Sequence, residues 1–405
     1  MPLFYRLLTY TILFSCIRML IGGYASLYLM QHGFSIADIS FLKAFQSLVI
    51  VLIQIPIGYL IDNRSNRYPF ILISIFFAAI WMFLTAVGNN SIYFFIAELF
   101  NALSLAIFNA VMLPILVETY TYETGKNDYN YTLGKFFKYQ NLLMAISVIL
   151  GSGFVRIDSR YVWLVSAFLL FSTAIFSILS KDIKKFNFLP PSNSERKVKK
   201  HFRQIIELIK TENLMILLLV NIALTTVFQI LAQFWQVIIY SYLDENTSYA
   251  LTYGLIFSAI LLLQAVGSHL AEKRSSLKLS LLSMLLFVGN TAYLIFFNNY
   301  FIFKVIPVIL FIMSFILFKY PSIIISAILH KNINNKVRAT FDSIISLLTM
   351  VISTIVFYLI GVLLNKYGNN VIMLSLGSLS LLSLLLTSVY LLKNKYTLKN
   401  SLAAT

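Results

Sequence analysis

Long apolar stretches alternate with short polar connections along almost the whole chain. A helix needs about 20 apolar residues to cross a hydrocarbon core about 30 Å thick. Twelve stretches come close to this length, and we predict membrane helices over residues 7–31, 37–61, 69–88, 91–118, 137–155, 161–180, 215–241, 249–271, 279–297, 301–329, 341–364 and 369–392. Because several of the connections are only a few residues long, consecutive helices should be antiparallel neighbours.

One longer polar segment, residues 181–214, divides this pattern into two sets of six helices. It carries nine Lys or Arg against four acids and begins a linker at Pro190-Pro191. Apolar residues at helical spacing over 197–210 predict an amphipathic helix on the membrane surface. We therefore predict an all-α integral membrane protein with an N-terminal six-helix bundle (1–180), a basic linker (181–214), a C-terminal six-helix bundle (215–392) and a tail (393–405).

The distribution of charge predicts the orientation of these helices. The termini and every second connection hold 24 Lys and Arg, whereas the other connections hold three. Since positive residues accumulate in cytoplasmic loops, both termini should be cytoplasmic in a multi-pass protein of the inner (plasma) membrane. The same bias explains the net charge of +16 without nucleic acid, and the 11% content of charged residues is too low for a soluble protein.

Few sequence motifs indicate a metal-binding, nucleotide-binding or catalytic function. The single cysteine, Cys16, cannot form an intrachain disulfide, and the four histidines show no metal-ligand spacing. Phosphate-binding glycine loops and paired catalytic carboxylates are also missing from the sequence, which argues against ATP hydrolysis and against an enzyme. We expect no cofactor and no metal, and as partners a small molecule, protons and the lipid bilayer around a monomer.

Two connections repeat one pattern at equivalent places in the two halves. In each, a glycine precedes an acid by four or five residues and basic residues follow: Gly58, Asp62, Arg64 and Arg67 in the first half, and Gly267, Glu272 and Arg274 in the second. Glycine allows helices to approach closely, and the charges could form a gating cluster at the membrane edge. The competing interpretation is an ordinary hydrophilic loop.

The first of these connections resembles the G-x-L-x-D-R-x-G-R-K motif of the major facilitator superfamily. Ala97-Glu98-Leu99 and Arg338-Ala339-Thr340 are similar to segments of its drug-efflux-like branch. The resemblance implies two bundles that rock about a central site, lined by helices 1, 4, 7 and 10. The chain departs from that branch in helix 4, which lacks the RxxxGxG pattern linked to proton coupling, and in helix 5, where Gly151-Ser152-Gly153 has no proline.

Ionisable residues inside a bilayer are costly and are candidates for function. Arg18, Lys43 and Glu98 fall at similar depths when about 1.5 Å is counted per helical residue, so they could form one cluster in which Arg18 and Lys43 are candidates for substrate binding. Glu98 is interpreted either as a proton carrier or as a fixed partner of Arg18 or Lys43. Lys319 lies two residues before Pro321, which should break or kink the helix. Lys319 is interpreted either as a substrate-binding residue or as a lysine close to the cytoplasmic water.

Predicted helix 7 carries a polar stripe at mostly i+4 and i+3 spacing. Its substrate-binding candidates are Asn221, Thr225, Gln229, Gln233 and Trp235. These amides and the aromatic ring could hydrogen-bond and stack on a substrate, or the amides could hold neighbouring helices together.

The sequence thus favours secondary active, proton-coupled export of a small organic compound. The excess of intramembrane cations suits an anionic or partly anionic compound, including a peptide- or nucleotide-like antibiotic such as a microcin. Import of a nutrient by the same fold and a non-transporting receptor or scaffold are the alternatives.

Overall fold

The computed structural model describes residues 2–62, 66–125, 129–155, 157–179, 212–240, 250–274, 276–297, 305–331, 338–368 and 370–403. Within these ranges the chain forms thirteen helices. They are α1 (Leu3–Met19), α2 (Ala25–Gln31), α3 (Ile36–Asp62), α4 (Tyr68–Val87), α5 (Ser91–Thr124), α6 (Tyr129–Val155), α7 (Ser159–Leu179), α8 (Glu212–Tyr240), α9 (Ala250–Lys273), α10 (Leu277–Phe297), α11 (Val305–Lys331), α12 (Arg338–Tyr367) and α13 (Asn370–Ala403).

The apolar stretches become helices close to the predicted positions. Among the described residues, ten helices are long and apolar enough to cross a membrane, and Tyr139–Val155 forms a shorter apolar segment. The total of twelve spans and the cytoplasmic position of the termini stay predictions. The predicted amphipathic helix over 197–210 lies outside the described residues.

The first predicted helix, 7–31, is wrong as one continuous element, because turns at Leu20–Tyr24 separate α1 from α2. Short backbone hydrogen bonds run here from Gly22 N to Met19 O and from Tyr24 N to Ile21 O, both 2.9 Å. Gly151 of α6 lies directly against the Leu20 carbonyl, so that a Cβ added at Gly151 would overlap it. The glycine therefore lets α6 pack closely on the interrupted segment.

The described residues form two compact units, one within Met1–Ser194 and Glu245–Leu262 and the other within Glu195–Asp244 and Leu263–Thr405. In the first unit, α5 packs on α3 and α4, and α4 also packs on α7. Ser74 Oγ donates to Ser104 O at 3.0 Å and Ser104 Oγ donates to Ser74 O at 2.8 Å. These buried, reciprocal bonds between small residues bring α4 and α5 into close contact.

In the second unit, α8 packs against α11, α12 and α13, and α10 packs against α11 and α13. Asn290 of α10 donates to Leu310 O at 2.8 Å and to Ser314 Oγ at 2.7 Å, which fixes α10 on α11. Helix α11 continues through Pro321 to Lys331, so the proline does not break it, and the alternative of a kink stays a prediction. A proline within a membrane helix is tolerated where neighbouring groups satisfy the freed backbone.

Candidate functional site

The structure brings Arg18, Lys43 and Glu98 together from α1, α3 and α5. Lys43 Nζ lies 2.8 Å from Glu98 Oε1, and the two side chains are 14% and 5% exposed. Lys43 and Glu98 both lie inside apolar spans, Ile36–Gln54 and Ser91–Met112. Because the two side chains are largely buried within apolar helices, both charges of this ion pair have lost most of their contact with water.

Asn101 connects this ion pair to Arg18. Its Nδ2 donates to Glu98 Oε1 at 2.8 Å, and its Oδ1 accepts a hydrogen bond from Arg18 Nη2 at 2.5 Å. Sequence reasoning did not include Asn101 among the site residues. The signal was its i+3 spacing from Glu98, which places both side chains on one face of α5. We call Arg18, Lys43, Glu98 and Asn101 the charged cluster.

Aromatic rings support the guanidinium of Arg18. Its Cζ lies 4.5 Å from the centroid of the Trp81 ring and 5.4 Å from that of Phe14, distances at which cation–π attraction is effective. The Nη1 atom is buried and has no hydrogen-bond partner among the described residues. With two cations and one carboxylate, the charged cluster has a formal charge of +1.

The first predicted gating connection is described in part. Arg67 Nη1 donates to Glu118 Oε1 at 3.0 Å and to Oε2 at 3.1 Å, which fixes the start of α4 against α5. A Cβ added at Gly58 would meet no described atom within 4 Å, so the described residues show no close helix approach at this glycine. Arg64 and the side chain of Asp62 lie outside the described residues.

In the second unit, Gly267 is the member of its motif with a clear packing role. A Cβ added there would lie 3.1 Å from Lys319 Cβ, so the glycine makes room for the stem of this lysine on α11. Arg274 is exposed, and its carbonyl accepts a hydrogen bond from the Tyr320 hydroxyl. The side chain of Glu272 lies outside the described residues.

The polar stripe of α8 divides into half-buried and buried positions. Asn221, Thr225, Gln229 and Gln233 are half-buried, whereas Trp235 is 2% exposed and enclosed by packing. Thr225 Oγ1 donates to Asn221 O at 2.7 Å within the helix, and Gln229 Nε2 lies 3.8 Å from Met350 Sδ of α12. The four half-buried positions share one face, as the spacing predicted.

The motifs and the helical fold lead to one family. A model of the Major Facilitator Superfamily matches residues 7–347. The chain belongs to this superfamily. The facilitator is therefore a multi-pass membrane transporter and not an enzyme, in agreement with the resemblance of its first connection. A search of curated proteins finds no match.

Solved structures agree with the fold of this facilitator. A crystal structure of the nucleoside transporter NupG superposes with a TM-score of 0.73 at 16% identity, covering 98% of this chain and 100% of that one. A crystal structure of a NupG mutant superposes with a TM-score of 0.71 at 14% identity, covering 95% of this chain and 99% of that one. Such low identity shows the shared fold alone. Within the described residues, no group of His, Cys, Asp and Glu is assembled to hold a metal ion.

Proposed function

We propose that this facilitator is a secondary active transporter that exports a small anionic or partly anionic organic compound by alternating access, driven by the proton gradient. The charged cluster is the observation that carries the proposal. A buried net positive charge is costly in a bilayer, and an anionic group on the substrate would offset it. The unpaired face of Arg18 beside Trp81 suits a carboxylate or phosphate, because a guanidinium binds both through a planar fork.

The contacts of Glu98 support a fixed partner more than a proton carrier. Its Oε1 accepts from both Lys43 and Asn101 at 2.8 Å, and a carboxylate held by a cation gains little from protonation. Proton coupling is therefore proposed for the transporter without Glu98 as its carrier.

Transport in proteoliposomes with an imposed pH gradient tests the proposal. The panel pairs each neutral compound with an anionic one of the same shape, for example a nucleoside and its 5′-monophosphate. We expect the anionic member to move preferentially, in the direction of export, and the Glu98→Gln variant to keep its response to the gradient. Lys366→Gln, at an exposed helix end, serves as the matched control. Equal transport with and without the gradient would contradict proton coupling.

Import of a nutrient is the second candidate. The similarity to a structure named as a nucleoside transporter gives a reason to include nucleosides in the panel. Uptake of the neutral nucleoside in the absence of export would favour this alternative. A non-transporting receptor or scaffold predicts instead that the Asp62→Asn variant keeps full function, whereas a transporter with a gate at this connection should lose activity.

A further inference from the structure

Lys319 is a basic residue within an apolar helix of the second unit. It lies within the apolar span Ile306–Leu329 of α11, ten residues before the end of that span. At about 1.5 Å per residue this is roughly 15 Å of helix, which is farther than an extended lysine side chain reaches. Lys319 therefore differs from lysines at helix ends, whose ammonium groups reach the membrane surface, and its side chain is half-buried.

The surroundings of Lys319 hold its side chain without supplying a counter-charge. Its Nζ lies 5.6 Å from the centroid of the Phe228 ring of α8. Among the described residues it has no ion pair and no side-chain hydrogen bond with a carboxylate. Cation–π attraction recovers only part of the free energy lost when an ammonium leaves water.

The site around the ammonium is built by three helices of the second unit. The Phe228 ring stacks on Phe318 with a centroid distance of 6.0 Å and an interplanar angle of 13°. On the other side, Gly267 of α9 leaves room for the lysine stem, since a Cβ there would lie 3.1 Å from Lys319 Cβ. The half-buried amine is thus positioned by an aromatic platform and a glycine, and among the described residues no carboxylate pairs with it.

We propose that Lys319 binds an anionic group, a carboxylate or a phosphate, of a ring-bearing compound that the transporter carries, with Phe228 lying beside the bound ring. This assignment rests on the proposed function, because it names the charge and shape that the substrate must have. The substrate's anion supplies the counter-charge that the described protein groups do not. A glycine at 267 is part of the same arrangement, because a Cβ there, at 3.1 Å from Lys319 Cβ, would require the lysine stem to shift by a few tenths of an ångström.

Ligand binding by the full-length protein tests this assignment without transport. The protein is placed in phosphatidylcholine nanodiscs, which contain no anionic lipid, and its thermal midpoint is followed while benzoate, phenyl phosphate or neutral benzamide is added. Ligands that bind the folded state raise the midpoint with concentration. We expect at least one of the two anions to stabilise the wild type and benzamide to have no effect.

Two variants and one control decide the role of Lys319. Lys319→Gln should weaken binding of the anion about tenfold or more, and Lys319→Arg should retain it. Lys366 is the matched control, because its Nζ also lies over an aromatic ring, at 5.2 Å from Tyr367, but at an exposed helix end; Lys366→Gln should bind like the wild type. If Lys319→Gln does not fold, Gly267→Ala takes its place and should weaken binding of the anion.

The assignment is overturned if neither anion stabilises the wild type, or if Lys319→Gln binds the anion as tightly as the wild type does. Anion binding that depends on Lys319, together with an absence of transport in proteoliposomes, would overturn the proposed function and keep the site. Transport that does not discriminate between charged and neutral compounds, and is unchanged in Lys319→Gln, would overturn the site and keep the transporter.

Discussion

Replacing Glu98 with Gln removes the only carboxylate of the charged cluster and leaves two cations. The Lys43–Glu98 pair has an N–O distance of 2.8 Å, and its side chains are 14% and 5% exposed. Removing one partner of a buried ion pair costs about 3–5 kcal/mol, because the remaining charge stays buried and uncompensated. The amide oxygen introduced by this substitution could still accept a hydrogen bond from Asn101, so we expect a loss near the lower limit, about 3 kcal/mol.

Thermal or denaturant unfolding of the purified protein in nanodiscs measures this loss. Glu118→Gln is the matched control, because Glu118 lies on the same helix and also pairs with a cation, Arg67, but its side chain is 38% exposed. Water can reach the Glu118 carboxylate, although Arg67 itself is 8% exposed, so we expect a smaller loss than for Glu98→Gln. The double variant Lys43→Met with Glu98→Leu, which removes both charges, should be more stable than Glu98→Gln alone.

An equal effect of Glu98→Gln and Glu118→Gln would refute the reasoning, since burial would then not determine the strength of the pair. A Glu98→Gln variant as stable as the wild type would show that Lys43 finds another partner. In the second case the charged cluster would lose its role as a fixed structural element.

Two further substitutions test the cluster and the helix interruption. Asn101→Asp places a carboxylate against Arg18 and cancels the net charge of the charged cluster. It should therefore lower the apparent affinity for the anionic member of each compound pair about tenfold. Unchanged selectivity in the transport assay would contradict this prediction. Gly151→Val forces a side chain into the Leu20 carbonyl and should lower the free energy of unfolding by about 1–3 kcal/mol. Gly153→Val is the control, because a Cβ there would meet no described atom within 4 Å, and it should unfold like the wild type. Equal unfolding midpoints for the two variants would show that α6 can move away from Leu20.

The sequence predicts the apolar parts of helices better than their true ends. Helices α4 and α7 match the predicted ranges to within two residues because their whole length is apolar. Helix α5 instead continues to Thr124, where Gly125 adopts φ 69° and ends it, because backbone hydrogen bonding does not stop at the membrane surface. The turns at Leu20–Tyr24 were missed since glycine is common within membrane helices.

The sequence predicted the level of the candidate site along its helices but not which side chains contact each other. Counting residues along α1, α3 and α5 placed Arg18, Lys43 and Glu98 at one level. It could not show that Asn101 separates Arg18 from Glu98, because that depends on how the helices are rotated about their axes. The role of Gly267 was likewise hidden, since its neighbour Lys319 is 52 positions away in the sequence.

Helix α5 runs without interruption over 34 residues and contains Pro114, which is about 51 Å of helix at 1.5 Å per residue and longer than the hydrocarbon core is thick. Glu98 lies inside the apolar span, and Glu118 contacts Arg67 about 30 Å farther along the same axis. Near its end, Glu123 accepts hydrogen bonds from Leu3 N at 2.5 Å and Phe4 N at 3.2 Å, at the start of α1. Whether a tilt of α5 at Glu98 reaches its far end past Pro114 can be measured there, where a pair of spectroscopic labels on α5 and α1 would record it as a change in distance.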